Sequence, residues 1–477
     1  MVDFLDDRFL LSTTTAESLF DSVRSLPIVD AHSHLNAREL AEDRRFATIA
    51  ELWLDDDHYK WRAMRAVGVD ERLITGSCEP YERFEAWART LEHLALNPLQ
   101  VWSHLELRRC FGIDLVLTRS TAREVYEEAN RQLMHRTVRD LLAPFGVAVL
   151  STTDDPADPL ASHAALRKDS DSNLDPGPDP GPKLPLVVPT WRPDPAHRLL
   201  REPTEWKLWT ERLGDREGIK INSLDSMLAA LRASWRRFVT LGARSSDHGL
   251  AALPATPRDP SAAAEAVRRT LRGIVPDPAG HDAVVVEVIT LAAELALEDD
   301  AVVQLHLGAH RDASPRLAAR LGSDAGADAV SGDPQGPGLF ARLSALERAG
   351  SLPSTVLYNV DPADNALFAT VAGAFARDDG RPAVRWGPAW WFNDHERGLR
   401  DQLELLGAMG VLGTFVGMHT DSRSWLSMTR HELYRRVLCD VLGQGVSRGT
   451  VPEDDALRAL AVALCGQNAL DLYGFGR

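Results

Sequence analysis

The chain has 477 residues, 44% of them hydrophobic and 26% charged, which is the ordinary composition of a globular protein with a large core. Its 53 basic and 69 acidic residues give a formal net charge of −16. A chain this acidic repels nucleic acids and anionic membrane surfaces, so neither is expected as a partner.

The N-terminus and the cysteines predict the compartment. The sequence MVDFLDDRFL is acidic and lacks the basic and apolar regions of a signal peptide. The most apolar stretch, residues 283–297, contains Glu287 and Glu294 and is typical of a helix rather than a transmembrane span. The four cysteines lie far apart with no Cys-x-x-Cys pair, as expected for reduced thiols. We therefore expect a cytoplasmic protein.

Eight short apolar runs alternate with helical stretches along the chain. They cover residues 28–34, 147–153, 186–192, 238–244, 302–308, 355–360, 383–389 and 414–419. Amphipathic patterns predict helices between the later runs, at residues 261–274, 281–298 and 397–412. Strands that alternate with helices pair in parallel, so eight such units predict a (β/α)8 TIM-type barrel. An open doubly wound sheet is disfavoured because no Gly-x-Gly-x-x-Gly motif follows any of these runs.

The spacing of the runs divides the chain into three parts. Residues 1–34 hold the N-terminal segment and the first strand. Residues 35–146 are dense in helical patterns and aromatic side chains, and we interpret them as a large helical insertion, a subdomain over the barrel mouth. Residues 147–477 supply the remainder of the barrel with C-terminal helices. Within this part, residues 168–185 are rich in Pro, Gly and Asp and predict a mobile loop.

Polar residues follow almost every predicted strand at its C-terminal end, where barrel enzymes assemble their active sites. His32 and His34 end the first strand, and alternation places both imidazoles on one face, as in a divalent metal site. Asp421 follows the eighth strand and would complete the set, because the first and last strands of a closed barrel are neighbours. The alternatives are two surface or core histidines and, for residues 420–422, an N-cap of the last predicted helix at residues 425–442.

Two arginines lie near the predicted barrel mouth. Arg192 ends the third strand and is followed by Pro193, and arginine is suited to bidentate recognition of carboxylates or phosphates. A structural ion pair is the alternative. Arg423 lies two residues after Asp421 and is the type of group that orients a carboxylate or stabilises an enolate oxygen. A solvated surface arginine is the alternative there.

The remaining candidates are imidazole or aromatic side chains near the barrel mouth: His58, Tyr59, His248, His306, Trp390 and Trp391. The histidine–tyrosine pair lies in the insertion and is either a lid contribution or simple packing. The other two histidines are candidate ligands or polarising groups, or hydrogen-bonded core residues. The tryptophans either stack on a sugar ring or pack in the core.

Some hydrolase chemistries are disfavoured. Binuclear barrel hydrolases often use a carboxylated lysine on a middle strand, but Lys60, Lys168, Lys183, Lys207 and Lys220 all lie outside the predicted strands. The sequence contains neither a Gly-x-Ser-x-Gly elbow nor a P-loop, which removes the serine hydrolase and NTPase interpretations.

The chain resembles the uronate isomerase (glucuronate isomerase) family, a divergent branch of the amidohydrolase superfamily. The matching segments run in order along almost the whole chain. They include PIVDAHSHL (27–35), DDHYKWRAMRAVGV (56–69), LVVPTWRPD (186–194), WGPAWWFNDHERGLRDQLE (386–404) and GMHTDSRSWLSMTRHELYRRVLC (417–439).

The resemblance implies a distorted (β/α)8 barrel that binds one divalent metal through His32, His34 and Asp421. Zinc is the expected ion, with Mn²⁺ or another divalent ion as the alternative. It also implies a role in carbohydrate metabolism, the interconversion of D-glucuronate with D-fructuronate and of D-galacturonate with D-tagaturonate. The expected partner is a small hexuronate, and a homo-oligomer is compatible with the sequence. His419 departs from the family, which has an apolar residue there, and the interpretations are an additional metal ligand or a changed metal preference.

The family motifs place His58, Tyr59, Arg192 and Arg423 in the site. We expect Asp421 to act as the base, Arg423 to steer it, and the histidine–tyrosine pair to polarise or protonate substrate oxygens. Arg192 is expected to hold the C6 carboxylate. The remaining substrate-binding candidates are His248, His306, Trp390 and Trp391. The rival function is metal-dependent hydrolysis of an amide or lactone with the same ligands.

Overall fold

The computed structural model describes residues 4–172, 184–200 and 203–475. The strands in these ranges are β1 Ile28–Asp30, β2 Val147–Ser151, β3 Leu186–Val188, β4 Ser245–Leu250, β5 Val302–Leu307, β6 Ala309–His310, β7 Ala329–Val330, β8 Ser354–Asn359 and β9 Val384–Trp386. The helices are α1 Thr14–Val23, α2 Ala37–Ala41, α3 Ile49–Leu54, α4 His58–Ala66, α5 Pro80–Leu91, α6 Pro98–Phe111, α7 Ala122–Leu133, α8 Val138–Leu142, α9 Ala161–Ser172, α10 Pro203–Glu217, α11 Leu224–Thr240, α12 Pro260–Leu271, α13 Pro278–Glu298, α14 Pro315–Leu321, α15 Gly336–Arg348, α16 Asn365–Ala372, α17 Glu396–Met409, α18 Thr429–Ser447, α19 Asp455–Val462 and α20 Asn468–Tyr473.

The central strands are parallel and follow a barrel order. One sheet has the order β1-β2-β3, and a second has the order β4-β5-β8-β9. A parallel bridge between Trp191 and Ser246 joins β3 to β4, so the two sheets form one continuous array. The short antiparallel pair β6-β7 lies in the connection after β5. The α/β barrel predicted from the alternating pattern is confirmed.

The eighth barrel position is occupied by an irregular segment. Residues 412–414 form a 3-10 turn, and the predicted strand at residues 414–419 does not form a regular ladder. The segment still closes onto β1, because the Thr420 backbone amide and hydroxyl donate to the Asp30 carboxylate at 2.7 and 2.6 Å. The Asp421 amide then donates to the His32 carbonyl at 3.1 Å. Side-chain bonds thus replace part of the ladder where the barrel closes.

The predicted fourth strand at residues 238–244 is wrong. Residues 238–240 are the last turn of α11, and β4 begins only at Ser245. Helix α11 buries Met227, Leu231, Trp235 and Phe238 at spacings of three and four residues, so the apolar run was the end of a helical stripe. The shift moves the strand into the polar sequence SSDHGL.

Valine side chains from six positions around the barrel fill its interior. They are Val29, Val149, Val188, Val302, Val356 and Val416. Branched side chains suit this position because they fill the space between tilted strands without polar atoms. Tyr473 and Phe475, near the C-terminus, pack into the same cluster.

The segment between β1 and β2 contains helices α2 to α8. Its apolar side chains pack in one cluster with Ile28 and Leu150 of the barrel strands and with Trp425 after the eighth position. The insertion therefore shares a core with the barrel, and its status as a separate subdomain stays a prediction. Of the predicted loop at residues 168–185, the first residues belong to α9, and residues 173–183 lie outside the described ranges. Among the described helices, none has both the length and the apolarity needed to cross a bilayer.

Candidate active site

A cavity of about 740 Å³ opens at the carboxyl ends of the barrel strands, facing helices α2 to α4 of the insertion. It brings together most of the residues predicted from the sequence: His32, His34, His58, Tyr59, Arg192, His306, Trp390, Trp391, Asp421 and Arg423. His248 is the predicted site residue that does not line it.

The first-strand histidines and the carboxylate of Asp421 meet at the base of this cavity. The Nε2 atoms of His32 and His34 both lie 3.1 Å from Asp421 Oδ1. The second carboxylate oxygen accepts a hydrogen bond of 2.7 Å from Trp390 Nε1. Asp421 has a positive φ of 46°, unusual for a residue with a side chain, and bonds from its neighbours hold it there.

These three side chains fit a divalent metal ion. Their ligand atoms all lie within 4.8 Å of one another, and two imidazoles with one carboxylate are donors that zinc and similar ions prefer. His32 is buried while His34 remains 27% exposed, so the set is open on the cavity side. His32, Asp247 and His306 form a second group of suitable atoms, but that aspartate is already bonded to the histidine and to an arginine.

The negative charge around His32 also favours a cation at this position. Burial by itself would raise the pKa of Asp421, but hydrogen bonds from His32 and His34 hold it well below its usual range. Burial lowers the pKa of His34 to about 4, against the attraction of that carboxylate. For His32, the charge of Asp247 and the bond to Asp421 outweigh burial and raise the pKa. The buried imidazole thus lies between two carboxylates whose charge a metal ion would compensate.

Arg192 lies in a buried charge network beside His32. Its guanidinium lies 2.8 Å from an oxygen of Asp194 and 3.1 Å from an oxygen of Asp247. The His306 ring donates from Nδ1 to Asp247 at 2.6 Å, and burial lowers the pKa of that imidazole despite the carboxylate. Although burial acts in the opposite direction, Arg192 and His306 keep the pKa of Asp247 below its usual range. Two carboxylates therefore surround one arginine.

His58 and Tyr59 reach the cavity from the first turn of α4. Asp57 caps this helix by accepting from the Tyr59 and Lys60 amides at 3.0 and 3.1 Å, which fixes where the two side chains point. Burial raises the pKa of the tyrosine well above its ordinary value. Burial and the nearby charge of Arg423 lower the pKa of His58. Both groups are therefore neutral near pH 7.

Arg423 lies at the cavity wall, where it pairs with a loop residue. Its guanidinium lies 2.7 Å from Asp324, which follows helix α14, and Arg311 lies 3.5 Å from the same carboxylate. Arg311 also lies over the ring of Trp391 at 4.6 Å, and that ring meets His58 edge-on at 5.6 Å. The cations of the eighth and fifth strand ends thus converge on the face occupied by the α4 side chains.

His248 points away from the cavity because side chains alternate along β4. Asp247 and Gly249 flank it and face the site, whereas the His248 ring lies 6.5 Å from the Trp191 ring and 3.1 Å from the Ser246 hydroxyl. The structure therefore places this residue in the wall of the barrel, and we do not retain it as a substrate contact. Its neighbour Asp247 lies behind the cavity lining, where its carboxylate bonds to Arg192 and His306.

A model of the family described as glucuronate isomerase matches residues 1–473. The chain belongs to the glucuronate isomerase family. The curated relatives include a uronate isomerase of Opitutus terrae, 40% identical over 99% of this chain and 98% of the relative, and one of Caldicellulosiruptor saccharolyticus, 37% identical over the full length of both.

Solved structures of the same family share the fold. A uronate isomerase from Thermotoga maritima matches with a TM-score of 0.91 and 32% identity, covering 99% of this chain and 100% of that one. A glucuronate isomerase from Caulobacter crescentus matches with a TM-score of 0.89 at 24% identity, over 99% and 98% of the two chains. The metal-dependent hydrolase considered from the sequence is not favoured.

His419, the departure from the family pattern, does not belong to either candidate metal-binding group. Its Nδ1 lies 3.2 Å from the Tyr358 hydroxyl, which donates to Gln304 at 2.7 Å. The Tyr358 ring stacks on His306 with centroids 4.0 Å apart. The histidine therefore belongs to a buried polar cluster next to the site rather than to the cavity lining.

Several members of the site had no predicted role. Asp194 and Asp247 followed predicted strands, and a strand at the correct position would have revealed that Asp247 faces inward. Asp324 lies in a loop 99 residues before its partner Arg423, and no local pattern signals that contact. Arg430 looked like an ordinary residue of the last predicted helix, yet it lines the cavity.

Proposed function

We propose that this chain is a uronate isomerase that converts D-glucuronate to D-fructuronate and D-galacturonate to D-tagaturonate. The supporting observation is one ionised carboxylate, Asp421, in a cavity with a cation and two neutral proton donors. Such an arrangement suits proton transfer next to a carbonyl, where a base removes a weakly acidic proton and donors stabilise the developing oxyanion.

The reaction moves one hydrogen between adjacent carbons. The C2–H bond breaks, its electron pair forms the C1–C2 double bond, and O1 takes a proton to give a cis-enediol. Loss of the O2 proton then forms the C2 carbonyl while C1 gains a proton. Atoms and electrons balance without a redox partner.

Asp421 is the proposed base. Its pKa, held low by its two histidine partners, keeps it ionised, and Trp390 fixes its second oxygen at 2.7 Å. His32, His34 and Asp421 would hold one divalent ion, with zinc as our first choice and Mn²⁺ as the alternative. Such an ion would supply positive charge to the substrate carboxylate and hydroxyl oxygens.

Arg423, His58 and Tyr59 are the proposed stabilisers of the enediol oxygens. The arginine supplies a permanent charge, and the other two supply N–H and O–H donors because burial keeps them neutral. Donors already fixed in place stabilise the intermediate without reorganising during the reaction.

For Arg192 we propose a role other than the carboxylate clamp expected from the sequence. Two carboxylates already neutralise it, so a third would be repelled. We propose that it donates to sugar hydroxyls and that Asp194 and Asp247 hold its orientation. His306, Trp390 and Trp391 complete the walls around the substrate.

We also propose a cytoplasmic location and a role in carbohydrate metabolism, because all four cysteines are free and the substrate is a free sugar acid. That the chain forms a homo-oligomer stays a prediction from the sequence.

The test is incubation of purified protein of known metal content with each hexuronate, followed by NMR and mass spectrometry. We expect ketose signals at unchanged mass, and the faster substrate defines the preference. No conversion of either sugar acid by metal-loaded protein would contradict the isomerase proposal.

A further inference from the structure

Arg430 is a buried cation beside the candidate site. It is the second residue of α18, which follows directly after the segment that carries Asp421 and Arg423, and only 3% of it is exposed. A buried charge is costly unless neighbouring groups compensate it, so its partners indicate what it does.

The partners of Arg430 come from two barrel strand ends. Its Nη1 donates to the Thr420 carbonyl at 2.9 Å and to Asp394, after β9, at 3.2 Å. Burial raises the pKa of Asp394 to about 7, against the charge of the arginine. The guanidinium therefore links the seventh and eighth strand ends.

The same guanidinium packs against the helical insertion. Its central carbon lies 3.7 Å from the centroid of the Trp102 ring on α6 and 5.8 Å from the Tyr59 ring on α4. An arginine stacked on aromatic faces is held by cation–π attraction and by planar contact, which lysine reproduces poorly. The Tyr59 ring thus contacts the Arg430 guanidinium, which is itself hydrogen-bonded to the barrel.

The hydrogen bond from Arg430 to the Thr420 carbonyl affects Asp421, the next residue in the chain. Asp421 has a left-handed backbone, and such a conformation persists only where the surroundings fix it. The Thr420 amide and hydroxyl donate to Asp30, and Arg430 donates to the Thr420 carbonyl, the remaining polar group of that residue. The arginine completes the set of bonds that orients the carboxylate.

We propose that Arg430 is a positioning residue that fixes the side chains of Tyr59, from the insertion, and Asp421, from the barrel, relative to each other across the cavity. This inference rests on the proposed function for its kinetic consequence, because it assigns the proton donor and the base to those two side chains. Arg430 itself acts through them.

The test compares R430M and R430K with R435M. Arg435 is a matched control, since it lies on the same helix, is 4% exposed, and donates to the carbonyls of Arg24 and Pro27 away from the cavity. We expect R430M to lower kcat about 100-fold with a smaller change in KM, because misplacement by about 1 Å costs this much. R430K should restore part of the loss, since it keeps the charge without the planar stack. R435M should lower Tm and leave kcat within about twofold.

Two further readouts separate positioning from general damage. In a Y59F background, R430M should cost less than in the wild type, because the two changes act through one side chain. Hydrogen exchange should rise at residues 58–64 and 419–423 in the Arg430 variants and not in R435M. If R430M does not fold, R430K is used for the same double-variant and hydrogen-exchange comparisons.

Wild-type kcat in folded Arg430 variants, losses that are additive with Y59F, or unchanged exchange in both segments would overturn the inference. Inactive wild-type protein would instead overturn the proposed function alone, because hydrogen exchange still reports the positioning role.

Discussion

The indole of Trp390 donates a 2.7 Å hydrogen bond to Oδ2 of Asp421, joining the loop after β9 to the segment that closes the barrel. This bond orients the carboxylate from the side opposite its histidine partners. A sugar-stacking role and a core-packing role were the two interpretations from sequence, and the structure shows a third contact that neither anticipated.

Removal of this donor tests its contribution to the base. We expect W390F to lower kcat about 10-fold with little change in KM, because one oriented donor to a reacting carboxylate is lost. W386F is the matched control, since Trp386 is also buried and donates to Asn359 at 2.8 Å. Equal losses of kcat in the two variants would show that the Asp421 bond has no special role.

Metal removal tests the ligand assignment. Chelation should abolish activity, and Zn²⁺ or Mn²⁺ should restore it. H34A should weaken metal affinity by about 100-fold or more, because one of three protein ligands is lost. The exposed His93 provides the control variant H93A. Metal content after dialysis, measured by mass spectrometry, decides the point, and full retention of the ion by H34A would contradict the assignment.

Stability should depend on pH through Asp154, which also lines the cavity. Burial raises its pKa to about 7, although a hydrogen bond from Thr152 opposes the shift. The unfolded carboxyl titrates near 4, so between pH 4 and 7 the folded state binds more protons and stability falls as the pH rises. D154N removes this titration.

The free energy of unfolding of D154N, relative to that of the wild type, should therefore increase from pH 5 to pH 8 by an amount on the order of 1–4 kcal/mol. Urea denaturation at the two pH values measures it. A constant difference between the two proteins would contradict the assigned shift.

The ion pair between Asp324 and Arg423 should oppose binding of an anionic sugar acid. D324N removes a negative charge from the cavity wall and frees the guanidinium, so we expect a several-fold lower KM at low ionic strength. Steady-state kinetics at low and high salt measure this effect. Because Asp324 is 42% exposed, high salt should reduce the difference in KM between D324N and the wild type. A KM of D324N above that of the wild type at both salt concentrations would contradict competition between Asp324 and the substrate for Arg423.

The cluster of two histidines and one aspartate could be predicted from the sequence because it depends on regular geometry. Alternation along a strand places His32 and His34 on one face, and closure of a parallel barrel brings Asp421 next to them. Both rules hold here even though the eighth position is irregular, since side-chain bonds to Asp30 hold the segment in place.

The parts that could not be predicted depend on register and on distant contacts. The last apolar turn of α11 had the appearance of a strand, so the register of β4, which directs Asp247 toward Arg192 and His306, could not be predicted. The contacts of Asp324 and Arg430 join segments far apart in the chain, and only the assembled fold brings them together.

Solvent deuterium exchange at C2 tests the central claim most directly. Wild-type protein and D421N are incubated with D-glucuronate in heavy water, and NMR follows deuterium at C2 of the recovered aldose together with formation of the ketose. We predict measurable exchange and turnover in the wild type, and loss of both by at least about 100-fold in D421N, whose amide cannot accept the proton. Near-normal exchange and turnover in metal-loaded D421N would contradict the assignment of Asp421 as the base.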